Sequence, residues 1–265
     1  MGYLFDKWDK IKNELRKRFL FLFLDYDGTL TPIVDLPEKA VISDAIRKLL
    51  RELSCAPECK LAIISGRALD DIINLVGIKD IIYVGNHGLE IKSPKIKFES
   101  PIPLKTKSII RRIYDELYNR LSGIKGIFIE DKRLTISVHY RLVDKRDVPM
   151  LLNILTEITM PFVSEGKIRI TTGKKVYEIR PPVEWDKGKV VLWLLARQKF
   201  ILKENNMLPI YLGDDATDED AFRVLKNKGL SVFMGKPGAS RADFYLKNTE
   251  DLVRFMKRIL ELKKA

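Results

Sequence analysis

Residues 21–30 read FLFLDYDGTL: four apolar residues run straight into two aspartates, Asp25 and Asp27, with one tyrosine between them. A short continuous apolar segment that stops at a turn signal suits a strand buried on both faces, as in the middle of a parallel sheet. Two carboxylates at its end are an electrostatic anomaly. Side chains two apart on a strand share a face, so an extended chain crowds the two charges unless a cation or a proton comes between them. The stretch predicts a buried strand whose carboxyl end meets positive charge.

The flanking sequence places this strand in an α/β protein. Apolar positions at helical spacing over residues 3–17 predict a helix leading into the strand at 19–24. Ser43 or Asp44 can cap a helix running to about Leu53. KLAIISGR (60–67) is a second apolar strand, ALDDIINLVG (68–77) a helix, and DIIYVGNHG (80–88) a third strand. Strands alternating with helices indicate a parallel sheet. The rhythm then changes. A helix at 105–121, strands at 126–131 and 133–142, a helix at 147–159, and strands at 167–172 and 175–180 have the order αββαββ. That order predicts an antiparallel sheet with helices on one face, a smaller domain inserted into the first. The α/β rhythm resumes with a helix at 187–199, a strand at 208–215, a helix near 218–227, a strand at 230–235 and a basic helix from about 250. The expected domains are a core, residues 1–101 with 181–265, and an insertion, residues 102–180.

Bulk properties narrow the function. The 48 Lys and Arg against 36 Asp and Glu leave a charge of +12. This charge is spread along the chain, with no long basic block or aromatic-interleaved basic stretch, so it suits a small anionic substrate better than a nucleic acid. Cys55 and Cys59 lack the neighbouring histidines of a zinc site and are expected to be ordinary thiols, with a local disulfide as the lesser alternative. No signal peptide or membrane span is apparent, so a cytoplasmic protein with no membrane partner is expected, with a monomer as the default.

Four strands finish in residues that suggest chemistry: DYDGT, SGR, GNHG and GDDATDED. Ligands of open parallel sheets bind beyond the carboxyl ends of the strands. Asp214, Asp215 and Asp218, brought beside Asp25 and Asp27, supply oxygen ligands for a hard cation, and magnesium fits best because it favours carboxylates plus substrate oxygens. With His87 and His139 the only histidines, a histidine-rich zinc site is disfavoured. Gly28 and Thr29 turn the chain so that amides can face an anion, and Ser65 and Lys187 add a hydroxyl and a cation. Such a set describes phosphoryl transfer, in which a carboxylate attacks phosphorus while cations neutralise the developing charge.

In this order, DYDGTL, SGR, DKG and GDDATDED resemble the four motifs of the haloacid dehalogenase-like phosphatases. Within that superfamily GNHG, GKKVYEIRP and GDDATDEDAF resemble the trehalose-6-phosphate phosphatases, from about residue 19 to the C-terminus. The resemblance implies a Rossmann-like core with a parallel sheet and an inserted α+β cap of the C2 type. It implies Asp25 as nucleophile and Asp27 as the acid that protonates the leaving oxygen and then activates water. It implies Mg2+ held by the Asp25 carboxylate, the Asp27 carbonyl and Asp214, with Asp215 and Asp218 orienting that shell. Ser65 and Lys187 would grip the phosphoryl group, with Thr29, Gly66 and Arg67 around it. Glu130, Arg141, Lys174 and Glu178, joined by His87, would contact sugar hydroxyls. The implied substrate is trehalose 6-phosphate, in trehalose biosynthesis, with sucrose phosphate, glucosylglycerol phosphate or mannosyl-3-phosphoglycerate as the competing substrates. Asp35, Asp70 and Asp71 are expected to be solvated, and His139 to play a supporting part.

Overall fold

The apolar run at 21–24 lies in a seven-residue strand, Phe19–Asp25, buried from Leu20 onward. The structure, a computed structural model, describes residues 1–264. They form two compact units, one of Met1–Phe98 together with the chain from Trp185 onward, the other of Glu99–Glu184.

The first unit begins with β1 (Gly2–Tyr3), a 3-10 turn, α1 (Trp8–Lys17) and β2 (Phe19–Asp25), followed by α2 (Asp44–Cys55), β3 (Cys59–Ile64), α3 (Leu69–Val76), β4 (Ile82–Gly85), β5 (Glu90–Ser93) and β6 (Ile96–Glu99). The second unit contributes α4 (Leu104–Leu121), β7 (Phe128–Asp131), β8 (Ile136–His139), α5 (Val148–Ser164), β9 (Arg169–Gly173) and β10 (Val176–Arg180). The chain then returns through α6 (Lys187–Leu202), β11 (Met207–Gly213), α7 (Glu219–Leu225), β12 (Leu230–Met234), β13 (Phe244–Leu246) and α8 (Thr249–Lys264). Nine strands share one sheet in the order β1-β13-β12-β11-β2-β3-β4-β5-β6. Pairing is parallel from β1 to β4, and β5 adds antiparallel to β4.

Strand alternation decides what β2 delivers. Leu20, Leu22 and Leu24 pack with side chains of α1, α2, α3 and α8, whereas Phe21 and Phe23 pack with those of α6 and α7. Asp25 continues the odd-numbered set and so emerges on the α6 side. Helix α6 opens with Lys187, and its N-cap Asp186 accepts from the Lys189 amide at 2.8 Å.

The expected helix over 3–17 starts only at Trp8, because Gly2–Tyr3 pairs with β13 and extends the sheet. Ser43, not Asp44, caps α2, accepting from the Ile46 amide. The expected strands over 60–67, 80–88 and 208–215 stop at Ile64, Gly85 and Gly213, so the polar residues that follow are loops.

In the second unit β7-β8-β10-β9 form an antiparallel sheet. One face is sealed by α4 and α5 through Ile113, Leu117, Leu151 and Leu155 against Ile136, Val138 and Ile179. The alternate residues face away from those helices. Among them Glu130 pairs with Ser137, Ser137 with Glu178, and Glu178 with Thr171, one polar row across four strands. No helix among the described residues is long and apolar enough to cross a membrane.

Candidate active site

Asp25, the last residue of β2, is buried at 5% exposure, and Lys187 and Asp218 are buried beside it at 3% and 0%. Lys187 Nζ donates to Asp25 Oδ1 and to Asp218 Oδ1, each at 2.7 Å. Tyr211, on the strand beside β2, donates its hydroxyl to the same Asp218 oxygen at 2.7 Å. The other Asp218 oxygen accepts the amides of Asp214 at 2.9 Å and Asp215 at 3.0 Å. Asp218 thus has four donors and organises the loop after β11 from beneath.

Burial drives the Asp25 carboxyl well above the usual carboxylate range. Lys187 pulls it down, and Asp218, Asp214 and Asp215 push it up again. Burial by itself would discharge Lys187, but Asp218 and Asp25 outweigh it and hold the ammonium charged. Asp215 behaves differently. Burial raises its carboxyl, but Lys187, the hydroxyl and amide of Thr217, and His87 bring it to about 2.

Four carboxylates therefore gather around one ammonium, and a further cation is the charge the cluster lacks. One carboxylate oxygen from each of Asp25, Asp214 and Asp218 lies within 4.8 Å of the others, and an all-oxygen donor set suits a hard divalent ion. The donors already on Asp218 make it the supporting member, leaving Asp25 and Asp214 as the side-chain ligands the geometry favours. Gly28 keeps that space open. Its φ is +91°, and a Cβ there would fall 2.2 Å from Asp214 Oδ2. Thr29 beside it is fully buried, and its Oγ1 has no hydrogen-bond partner among the described residues.

Asp27 does not share the face of Asp25. The strand has ended, and Asp27 makes an isolated bridge to Thr31. Its carboxylate takes a two-pronged grip from Arg67, Nε to Oδ2 at 2.8 Å and Nη2 to Oδ1 at 2.7 Å. The crowding expected of an extended Asp-Tyr-Asp is thus avoided by separation, with Lys187 serving one carboxylate and Arg67 the other. Arg67 also donates to Pro37 O and Asp71 Oδ2 and lies over the Tyr26 ring, so Asp71 is a paired carboxylate and not merely solvated. Ser65 Oγ accepts the Arg67 amide at 3.2 Å. A Cβ on Gly66 would fall 2.4 Å from His87 Nε2, so Gly66 lets that ring lie against the loop after β3.

The remaining predicted residues lie in the second unit. Lys132, buried, donates to Glu178 Oε1 at 3.2 Å and stands 3.8 Å from Glu130 Oε2. His139 Nε2 lies 3.1 Å from the same Glu130 oxygen, and since a carboxylate only accepts, Nε2 carries the proton. Arg141 donates to the Lys174 carbonyl at 3.0 Å, while Lys175 sets its ammonium over the Tyr140 ring.

Residues 23–248 match the trehalose-phosphatase family. The chain belongs to that family. "Probable trehalose-phosphate phosphatase 4" of Oryza sativa subsp. japonica is 37% identical over 265 residues, covering 97% of this chain and 70% of the rice protein. The C-terminal domain of C. albicans trehalose-6-phosphate phosphatase superposes with a TM-score of 0.80 at 25% identity, covering 96% of this chain and 97% of that one. A haloacid dehalogenase-like hydrolase from Bacteroides thetaiotaomicron, at 18% identity and a TM-score of 0.64, shares the fold and covers 92% of this chain and 100% of that one. The architecture is a haloacid dehalogenase-like α/β core with an inserted α+β cap.

Two residues that contact predicted site residues, one in each unit, escaped the sequence reading. Tyr211 lies inside an apolar strand, where a tyrosine reads as core, and only the fold shows its hydroxyl reaching Asp218. Lys132 follows Glu130 by two positions, and that same-face spacing was the available signal.

Proposed function

We propose that the protein hydrolyses trehalose 6-phosphate to trehalose and phosphate, the dephosphorylation step of trehalose biosynthesis, with Mg2+ as cofactor. The observation that carries this reading is the bridge from Asp25 through Lys187 to Asp218, set beside Asp214 within a trehalose-phosphatase sequence.

A carboxylate oxygen of Asp25 attacks phosphorus, and the bond from phosphorus to the sugar oxygen breaks as Asp27 gives that oxygen a proton. Asp27 then takes a proton from water, which attacks the phosphorus of the aspartyl phosphate, releasing phosphate and restoring Asp25. Arg67 holds both Asp27 oxygens in one orientation for these transfers. The Asp25 carboxylate, the Asp27 carbonyl and Asp214, with Asp215 and Asp218 in support, would hold Mg2+, which would supply positive charge against the phosphoryl oxygens. Lys187 adds a fixed charge on the same side, while Ser65, Thr29 and Gly66 line the phosphoryl pocket. Sugar hydroxyls need paired donors and acceptors, which Glu130, Arg141, Lys174 and Glu178 of the cap, residues 102–180, and His87 of the core provide.

The test is phosphate release from a panel of sugar phosphates, with magnesium or with chelator. Magnesium-dependent release from trehalose 6-phosphate is expected to exceed that from sucrose phosphate, glucosylglycerol phosphate and mannosyl-3-phosphoglycerate. Preference for one of those three would replace the substrate and leave the chemistry standing.

A further inference from the structure

The polar row of the cap sheet has an aromatic neighbour. Phe128, on the edge strand β7, pairs in register with His139 of β8, and their rings lie 5.5 Å apart at 34°. The row continues through Val176 to Gly173. Phe128 is 39% exposed, a large apolar side chain left open on the face away from α4 and α5. Its partner ring is tied by Nε2 to Glu130, in the next row of that face. Same-face rows lie about 7 Å apart along a strand, comparable with the breadth of a pyranose ring. Such a ring offers a face of C–H groups to an aromatic surface and a rim of hydroxyls to carboxylates. Gly173 and Ser137 keep the floor of both rows low, and Lys132 fixes Glu178 from the side.

We infer that Phe128, backed by His139, is a platform for one glucose ring of the substrate, a specificity-determining residue that separates disaccharide phosphates from smaller phosphate esters. The inference rests on the sugar-phosphate function proposed for the site. Glu130 and Glu178 accept hydrogen bonds from the ring's hydroxyls and so orient it, while the aromatic face excludes water from its apolar side.

The experiment compares wild type, Phe128→Ala and Phe128→Tyr on trehalose 6-phosphate and on p-nitrophenyl phosphate, which carries no sugar. For Phe128→Ala, KM for trehalose 6-phosphate should rise about tenfold with kcat little changed, the size expected for one lost aromatic contact. Turnover of p-nitrophenyl phosphate should stay at the wild-type level, and Phe128→Tyr should keep wild-type KM. An unchanged KM in Phe128→Ala, or an equal loss on both substrates, overturns the inference while leaving the proposed function intact. Absence of trehalose 6-phosphate turnover by wild type overturns both.

Discussion

Lys187 Nζ stands 2.7 Å from Asp25 and 2.7 Å from Asp218, a single buried ammonium shared by two buried carboxylates. Removing it leaves both acids without that partner in a dry setting. Lys187→Ala should therefore lower the stability of the metal-free protein by about 3–5 kcal/mol, measured by urea unfolding, with added magnesium recovering part of the loss. Phosphatase activity should fall by about a thousandfold. Stability equal to wild type would show that the bridge is not an important support of the fold.

The turn after Asp27 should be equally intolerant of bulk. Gly28→Ala adds a methyl group to a left-handed backbone at a point 2.2 Å from the Asp214 carboxylate. The variant should need at least about tenfold more magnesium for half-maximal activity, read from a magnesium titration of phosphate release. An unchanged magnesium requirement would detach Asp214 from the metal.

Acid should separate wild type from Asp215→Asn. The Asp215 carboxyl falls from 3.8 to about 2 on folding, so its stabilisation is fully present above pH 3.8 and is lost as pH falls through 2. Asparagine does not titrate there. The wild-type advantage in urea unfolding should shrink by about 2 kcal/mol between pH 5 and pH 2. Asp25, raised on folding chiefly by burial, contributes the opposite slope in both proteins. A difference that stays constant over this range would contradict the account of Asp215.

The two thiols should differ in reactivity. Cys59 is buried, and burial pushes its thiol up to about 12, whereas Cys55 is exposed. A thiol reagent at pH 8 should label one cysteine in the folded protein and two after denaturation. Rapid labelling of both in the folded state would contradict the packing of Cys59.

What the sequence revealed depended on range. The apolar run before Asp25 identified a central strand because burial on both faces leaves a continuous hydrophobic signature, and residue parity then aimed Asp25 toward α6. The partner of Asp27 was not legible, since Arg67 lies forty residues on and its guanidinium arrives through a loop. Reading Asp27 as a continuation of the strand was the specific error, since the strand ends two residues sooner, at Asp25. The strands β5 and β6 went unassigned because they are short and mix charged residues with apolar ones, and β13 because it is only three residues long; their pairing in the sheet is what defines them.

In the proposed reaction Asp25 is the group that takes the phosphoryl load. The most direct measurement is the rate of phosphate release from trehalose 6-phosphate by Asp25→Asn at saturating magnesium, beside wild type and with folding checked by circular dichroism. The predicted result is a folded protein with activity reduced by at least about a thousandfold. A folded Asn variant that turns over at a rate comparable with wild type would contradict it.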